Sequence, residues 1–129
     1  MKNTIKIGLF SLLFGMTACQ QSSTTIESVN AEKFSEVIDA PKGQILDVRT
    51  SEEYAEGHLA KSININVMEE GFTEKAQNVL NKKNTVALYC RSGRRSKKAA
   101  DLLHQAGFKV VELAGGFNEW KEKNLEIVK

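Results

Sequence analysis

The sequence predicts an α/β domain: a mainly parallel sheet flanked by helices on both faces. Two observations carry this expectation. Short apolar runs alternate with segments of helical spacing from about residue 26 onward, a pattern that argues for a parallel sheet covered on both sides. One strand-to-helix junction is especially explicit. The run Thr85-Val86-Ala87-Leu88-Tyr89 leads into Cys90-Arg91-Ser92-Gly93-Arg94-Arg95-Ser96, and beyond it Ala99, Leu102, Leu103 and Ala106 recur at i, i+3, i+4 and i+7. A strand therefore ends at Cys90, a tight loop follows, and a helix begins near Ser96.

The remaining elements follow from local signals. Thr24 to Val29 reads as a first short strand. Asn30 caps a helix through about Asp39, with Ala31, Phe34, Val37 and Ile38 inward. Pro41-Lys42-Gly43 is a turn into the buried strand Gln44-Ile45-Leu46-Asp47-Val48. Thr50 caps a short helix, Glu53 completes a capping box three residues later, and Gly57 ends it. Ser62 to Val67 alternates polar and apolar and reads as a third strand. Thr73 to Leu80 is helical, with Ala76, Val79 and Leu80 inward. Gly107 closes the helix after the loop. Lys109 to Leu113 is another strand, and Ala114-Gly115-Gly116 turns the chain into a last helix carrying Phe117 and Trp120. The total is about five strands.

The chain of 129 residues suits one domain, and 41% apolar with 26% charged residues is ordinary for a globular protein. The net charge of +2 is carried by Lys2 and Lys6, and the rest is balanced. The basicity is local: Arg91, Arg94, Arg95, Lys97 and Lys98 cluster with no acid among residues 91 to 98. A polymer-binding domain would carry a wider surplus. The expected partner is a small anion, not nucleic acid.

Residues 1–18 have the parts of a secretory signal: Lys2 and Lys6, then the apolar stretch Ile7 to Phe14, too short to span a bilayer. Gly15-Met16-Thr17-Ala18 before Cys19 resembles the bacterial lipoprotein signal, with Met16 where Leu is usual. Cys19 would then carry a lipid, residues 19–25 would be a flexible tether, and residues 26–129 the folded domain. The expected location is exported, periplasmic or in the cell envelope, and anchored to a bacterial membrane. Cys19 and Cys90 are the only cysteines. With Cys19 lipidated, Cys90 has no intrachain partner, and an exported lone thiol is a liability unless it works.

A thiol at the Cys90 junction sits among backbone N–H groups that lack partners and feels the positive end of a helix dipole. Helix N-termini and nearby cations lower a cysteine pKa. Gly93 lets the backbone turn and approach closely, and guanidinium groups fork onto oxyanions. The stretch reads as an anion cradle with a reactive thiolate at its floor.

Three motifs then resemble those of rhodanese domains. Leu46-Asp47-Val48-Arg49, with Glu53-Tyr54 and Gly57-His58-Leu59, is similar to their N-terminal signature. Cys90 to Ser96 is similar to their active-site loop, and Leu113-Ala114-Gly115-Gly116-Phe117-Asn118-Glu119-Trp120 to their C-terminal signature. The match covers about residues 26 to 123. One departure stands out: after His58-Leu59 the family's Pro-Gly-Ala is replaced by Ala60-Lys61-Ser62.

The resemblance implies a sulfurtransferase. Cys90 would take a sulfane sulfur from thiosulfate or a persulfide, hold it as a persulfide, and pass it to cyanide, a thiol or a protein acceptor. No metal, nucleotide or general base is required, and a monomer is expected. Arg91 and Arg94 are the expected substrate contacts. Arg95 either joins them or holds the loop through a carboxylate, with Asp47 the candidate. Ser92 and Gly93 belong to the cradle, Ser96 reads as a helix cap, and His58 as a structural residue of the N-terminal signature.

Competing readings on the same fold are a cysteine phosphatase, an arsenate-type oxyanion reductase and a non-catalytic membrane-tethered binding module. Cysteine phosphatases place five residues between cysteine and the clamping arginine. Here four separate Cys90 from Arg95, and Tyr89 stands where those enzymes usually have His. The presence of the cysteine weighs against the binding module.

Overall fold

The computed structural model describes residues 25–129. The expected signal segment, Cys19 and all of the tether but Thr25 lie outside the described residues. Five strands and five helices alternate: β1 (Ile26–Val29), α1 (Ala31–Ile38), β2 (Gln44–Asp47), α2 (Ser51–Glu56), β3 (Ile63–Asn64), α3 (Phe72–Val79), β4 (Val86–Tyr89), α4 (Arg94–Gln105), β5 (Val110–Leu113) and α5 (Gly116–Glu122). All strand pairs are parallel, in the order β1-β5-β4-β2-β3. The α/β expectation therefore holds.

The central strand explains the architecture. Every residue of β4 is buried, because successive side chains enter opposite cores. Val86, Leu88 and Cys90 face a cluster with Phe72 and Ala76 of α3 and Ala99, Ala100 and Leu103 of α4. Ala87 and Tyr89 face the other, with Phe34 of α1 and Phe117 and Trp120 of α5. A sheet sealed on both sides leaves its strand ends as the accessible place for a ligand. Cys90 stands at the C-terminal end of the middle strand.

The caps behave as the sequence suggests. Asn30 Oδ1 accepts from Lys33 N at 2.9 Å, and Thr50 and Glu53 form the full capping box. Four details differ. The third strand is only Ile63–Asn64, because β3 is an edge strand paired with β2 alone. Beyond it the chain still follows β2, with Ile65 N donating to Asp47 O and Val67 N to Val48 O. Val79 is 54% exposed, not inward, while Ala76 and Leu80 carry the buried side of α3. Helix α4 starts at Arg94, so Ser96 lies inside its first turn and Gly93 is the N-cap. At Lys61, within the Ala60-Lys61-Ser62 departure, the backbone takes a left-handed turn with φ 69° although the residue is not glycine. Ser62 closes that turn through its N–H and hydroxyl to Leu59 O, and Tyr54 Oη donates to Ser62 O.

Candidate active site

Cys90 is 1% exposed. Its Sγ accepts from Gly93 N at 3.1 Å. Burial pushes the thiol pKa up. The Ser96 hydroxyl and the N–H groups of Ser96, Gly93 and Ser92 more than offset it, and the net direction is down. The floor of the loop is thus a ring of backbone donors aimed at sulfur, a nest suited to a thiolate.

Two glycines allow this packing. Gly93 has φ 104°, and a Cβ there would run into the Ala114 carbonyl oxygen. Gly116 has φ 66°, and a Cβ there would lie 2.5 Å from the carbonyl carbon and oxygen of Arg91. The two loops therefore touch backbone to backbone. The first turn of α5 completes the contact: Phe117 N donates to Cys90 O at 2.8 Å, and Asn118 N to Arg91 O at 3.0 Å.

The arginines separate by role. Arg91 and Arg94 are exposed at the mouth of the loop. Arg95 is not, because it makes a two-pronged pair with Glu53, Nη1 to Oε1 at 2.7 Å and Nη2 to Oε2 at 2.9 Å. Glu53 also accepts from Thr50 N and Thr50 Oγ1. Arg95, with Thr50, holds the Glu53 carboxyl down to about 2 against its burial. The expectation that Asp47 supports Arg95 is corrected: Asp47 belongs to Arg49. Arg49 Nη2 lies 2.7 Å from Asp47 Oδ2, Arg49 N donates to Oδ1, and Tyr89 Oη donates to Oδ2 at 2.6 Å. The reason is register. Asp47 pairs with Tyr89 across β2 and β4, so its side chain shares the Tyr89 face and points away from the side that holds Cys90. Burial, and then Asp47, keep the Tyr89 phenol protonated.

Ser96, the expected cap, instead donates from its hydroxyl toward Gly93 O at 3.1 Å and Glu112 Oε2 at 2.6 Å. His58 is occupied structurally: its ring stacks on Tyr54 at 3.6 Å, Nδ1 lies 2.8 Å from Tyr54 O, and its backbone bridges Val128. Phe117 and Trp120 pack into the core as expected. Beside the loop, a cleft of about 500 Å³ is bounded by Arg49, Glu53, Arg91, Phe117, Asn118 and Lys121.

Two residues escaped the sequence reading. The sequence marks Glu53 as a helix cap and a member of the N-terminal signature but not as the partner of Arg95, and Glu112 only as part of a strand. A charged residue inside the apolar run Val110-Val111-Glu112-Leu113 was the available signal for the second.

The class is an α/β domain with a buried cysteine under backbone N–H donors, at the end of the central parallel strand and clamped by a glycine-pair turn. The chain belongs to the rhodanese-like domain family, whose model matches residues 30–123. It is 38% identical over 74 residues to thiosulfate sulfurtransferase PspE of Escherichia coli, covering 57% of this chain and 70% of that protein. It is 34% identical over 90 residues to thiosulfate sulfurtransferase 16 of Arabidopsis thaliana, covering 62% and 75%. YrkF of Bacillus subtilis, a protein named for sulfur carriage, is 33% identical over 105 residues; the match covers 80% of this chain but only 55% of YrkF. The fold matches a rhodanese-related protein of Thermoplasma volcanium with a TM-score of 0.69 at 32% identity, covering 79% of this chain and 97% of the other.

Proposed function

We propose that this protein is a sulfurtransferase that carries sulfane sulfur as a persulfide on Cys90. The observation that carries this reading is the sulfur at the floor of the loop, with Gly93 N donating to it and its proton affinity lowered. The Cys90 thiolate attacks the outer sulfur of thiosulfate. The S–S bond breaks, sulfite leaves with the electron pair, and Cys90 holds the transferred sulfur as an anionic persulfide. A cyanide or thiolate acceptor then attacks that outer sulfur. Cys90 leaves as the thiolate, and the product is thiocyanate or a new persulfide. Loop N–H groups stabilise the anion in each state. Arg91 and Arg94 attract the oxyanion portion of the donor. Names among the relatives support thiosulfate as the donor.

The full chain with thiosulfate and cyanide should release thiocyanate, and mass spectrometry should show one added sulfur on the Cys90 peptide. Cys90→Ser should abolish both. Thiocyanate release by that variant would overturn the mechanism, and hydrolysis of a phosphate ester with thiosulfate ignored would favour the phosphatase reading.

We also propose export and lipid anchoring at Cys19, from the signal pattern of residues 1–18. A membrane fraction holding the protein with a lipidated N-terminal Cys19 is the expected result. A soluble product retaining Met1 would exclude it.

A further inference from the structure

Register puts Ile26, Val110, Val86 and Gln44, the first residues of β1, β5, β4 and β2, in one row. The turns that feed this row therefore share one end of the domain. Backbone bonds run across it, from Val110 N to Thr25 O at 3.3 Å and from Val86 N to Lys109 O at 2.9 Å. Gln44 fastens two of the turns together: its Nε2 donates to Asn81 O at 2.9 Å, and its Oε1 accepts from Asn81 N at 2.7 Å. Lys61 precedes Ile63, which is paired with Leu46, and so stands level with Gln44.

Lysine dominates this end. Lys42, Lys61, Lys82, Lys83 and Lys109 are all exposed. They come from separate turns, so no run of sequence announces them. Among the described residues none of the five forms an ion pair with a carboxylate, whereas Lys33, Lys75, Lys97 and Lys123 elsewhere each meet a glutamate. Two carboxylates share the end, Asp39 and Glu126, both beside Lys61. The negative dipole ends of α1, α3 and α4 fade within a turn, while the ammonium groups reach outward on flexible stems. A net positive face results. At the opposite end, Glu52 and Glu74 lie in the first turns of α2 and α3, and Glu69 and Glu70 in the loop before α3, all exposed. Cys90 follows β4 at that far end, about 13 Å along the strand from the row.

The folded chain also begins at the lysine end, since Thr25 lies beside Val110 and Lys109. The residues before Thr25 include Cys19 and no acid. From Cys19 to Thr25 the chain can reach at most about 20 Å. We propose that the strand-entry end of the domain is a membrane-facing surface that rests on anionic lipid headgroups and turns the Cys90 loop toward the aqueous side. The orientation rests on the export and lipid-anchoring reading; the affinity for anionic headgroups does not. Each lysine near such a surface is worth about fivefold in association, and the exposed acids at the far end disfavour the inverted orientation. Sulfur donor and acceptor then reach the loop from water.

The test is an acetylation footprint. The full chain as isolated is mixed with vesicles of phosphatidylcholine alone or with added phosphatidylglycerol, treated with sulfo-N-hydroxysuccinimide acetate, and each lysine peptide is read by mass spectrometry. On phosphatidylglycerol the five lysines should react at least about fivefold more slowly than on phosphatidylcholine, while Lys97 and Lys98 keep their rates. Salt at about 1 M should abolish the difference, because the screening length falls to about 3 Å. Lys42→Gln with Lys83→Gln should remove most of the protection at Lys61, Lys82 and Lys109. Arg94→Gln with Lys98→Gln, the same charge change at the far end, should leave it intact. Equal rates on the two lipids, like protection of both ends, or equal loss in the two variants overturns the proposal. So does protection by soluble heparin with none by phosphatidylglycerol, which would assign the face to a soluble polyanion. The N-terminal peptide is read in the same run. Protection without a lipid on Cys19 would count against the anchoring and not against this surface; a lipidated Cys19 without protection would overturn the surface and leave the anchoring standing.

Discussion

Asp47–Arg49 and Glu53–Arg95 are the same chemistry at two depths. The first pair is sealed, with side chains 0% and 4% exposed; in the second, both side chains are 23% exposed. Arg49 is fixed on every side: by Asp47, by Gly57 O at 2.7 Å, and by the Phe117 ring 4.2 Å from its guanidinium carbon. It ties the ends of β2, β4 and α2 into one block. Glu53–Arg95 joins only α2 to the first turn of α4, just after the loop, across 42 positions of sequence. The difference teaches that a buried pair serves as architecture, where loss of one partner leaves a charge without water, whereas a half-buried pair can orient a loop at modest cost to stability.

Breaking the deeper pair should have the largest effect. Arg49→Met leaves Asp47 buried without its cation and should cost roughly 3–5 kcal/mol in urea unfolding. A loss below about 1 kcal/mol would mean that Tyr89 and the Arg49 amide satisfy Asp47 unaided. Glu53→Gln should separate the two roles. Its stability cost should be only about 1–2 kcal/mol, from the weakened cap and ion pair. Its kcat/KM for thiosulfate should fall by about 10-fold or more, because Arg95 no longer holds the loop. Equal damage from both variants to stability and to activity would erase the contrast.

Acid gives the finest test. The folded Glu53 carboxyl sits near 2, below its ordinary 4.5. A depressed value means the stabilisation is complete above about 4.5 and is lost as pH falls toward 2. Melting temperature should therefore drop less steeply across that window in Glu53→Gln than in the parent. Parallel curves would show that Glu53 gains nothing from Arg95.

Much of this was legible in the chain. Asn30, and Thr50 with Glu53, announce their helices because capping is local chemistry. The Cys90 loop is legible for the same reason: an apolar run, a glycine and a helical period lie side by side. Val79 was misjudged because period alone cannot tell which residue of a short helix meets a neighbour. Edge strand β3 ran short because hydrogen bonding to one partner is a tertiary matter. Lys61 keeps a left-handed turn that its residue type would not suggest, because Ser62 and Tyr54 close the turn around it.

The Cys90 loop and the order of elements were determined by the amino-acid sequence, since each rests on residues within a few positions of one another. Which carboxylate meets which arginine was decided by the tertiary structure alone. The pleat turns Asp47 to the Tyr89 face, away from Cys90; the first turn of α2 carries Glu53 to Arg95; and the β5 register sets Glu112 against Ser96. Glu53 and Arg95 lie 42 positions apart, and even for Asp47, two positions from Arg49, it is strand register that selects the face and so the partner.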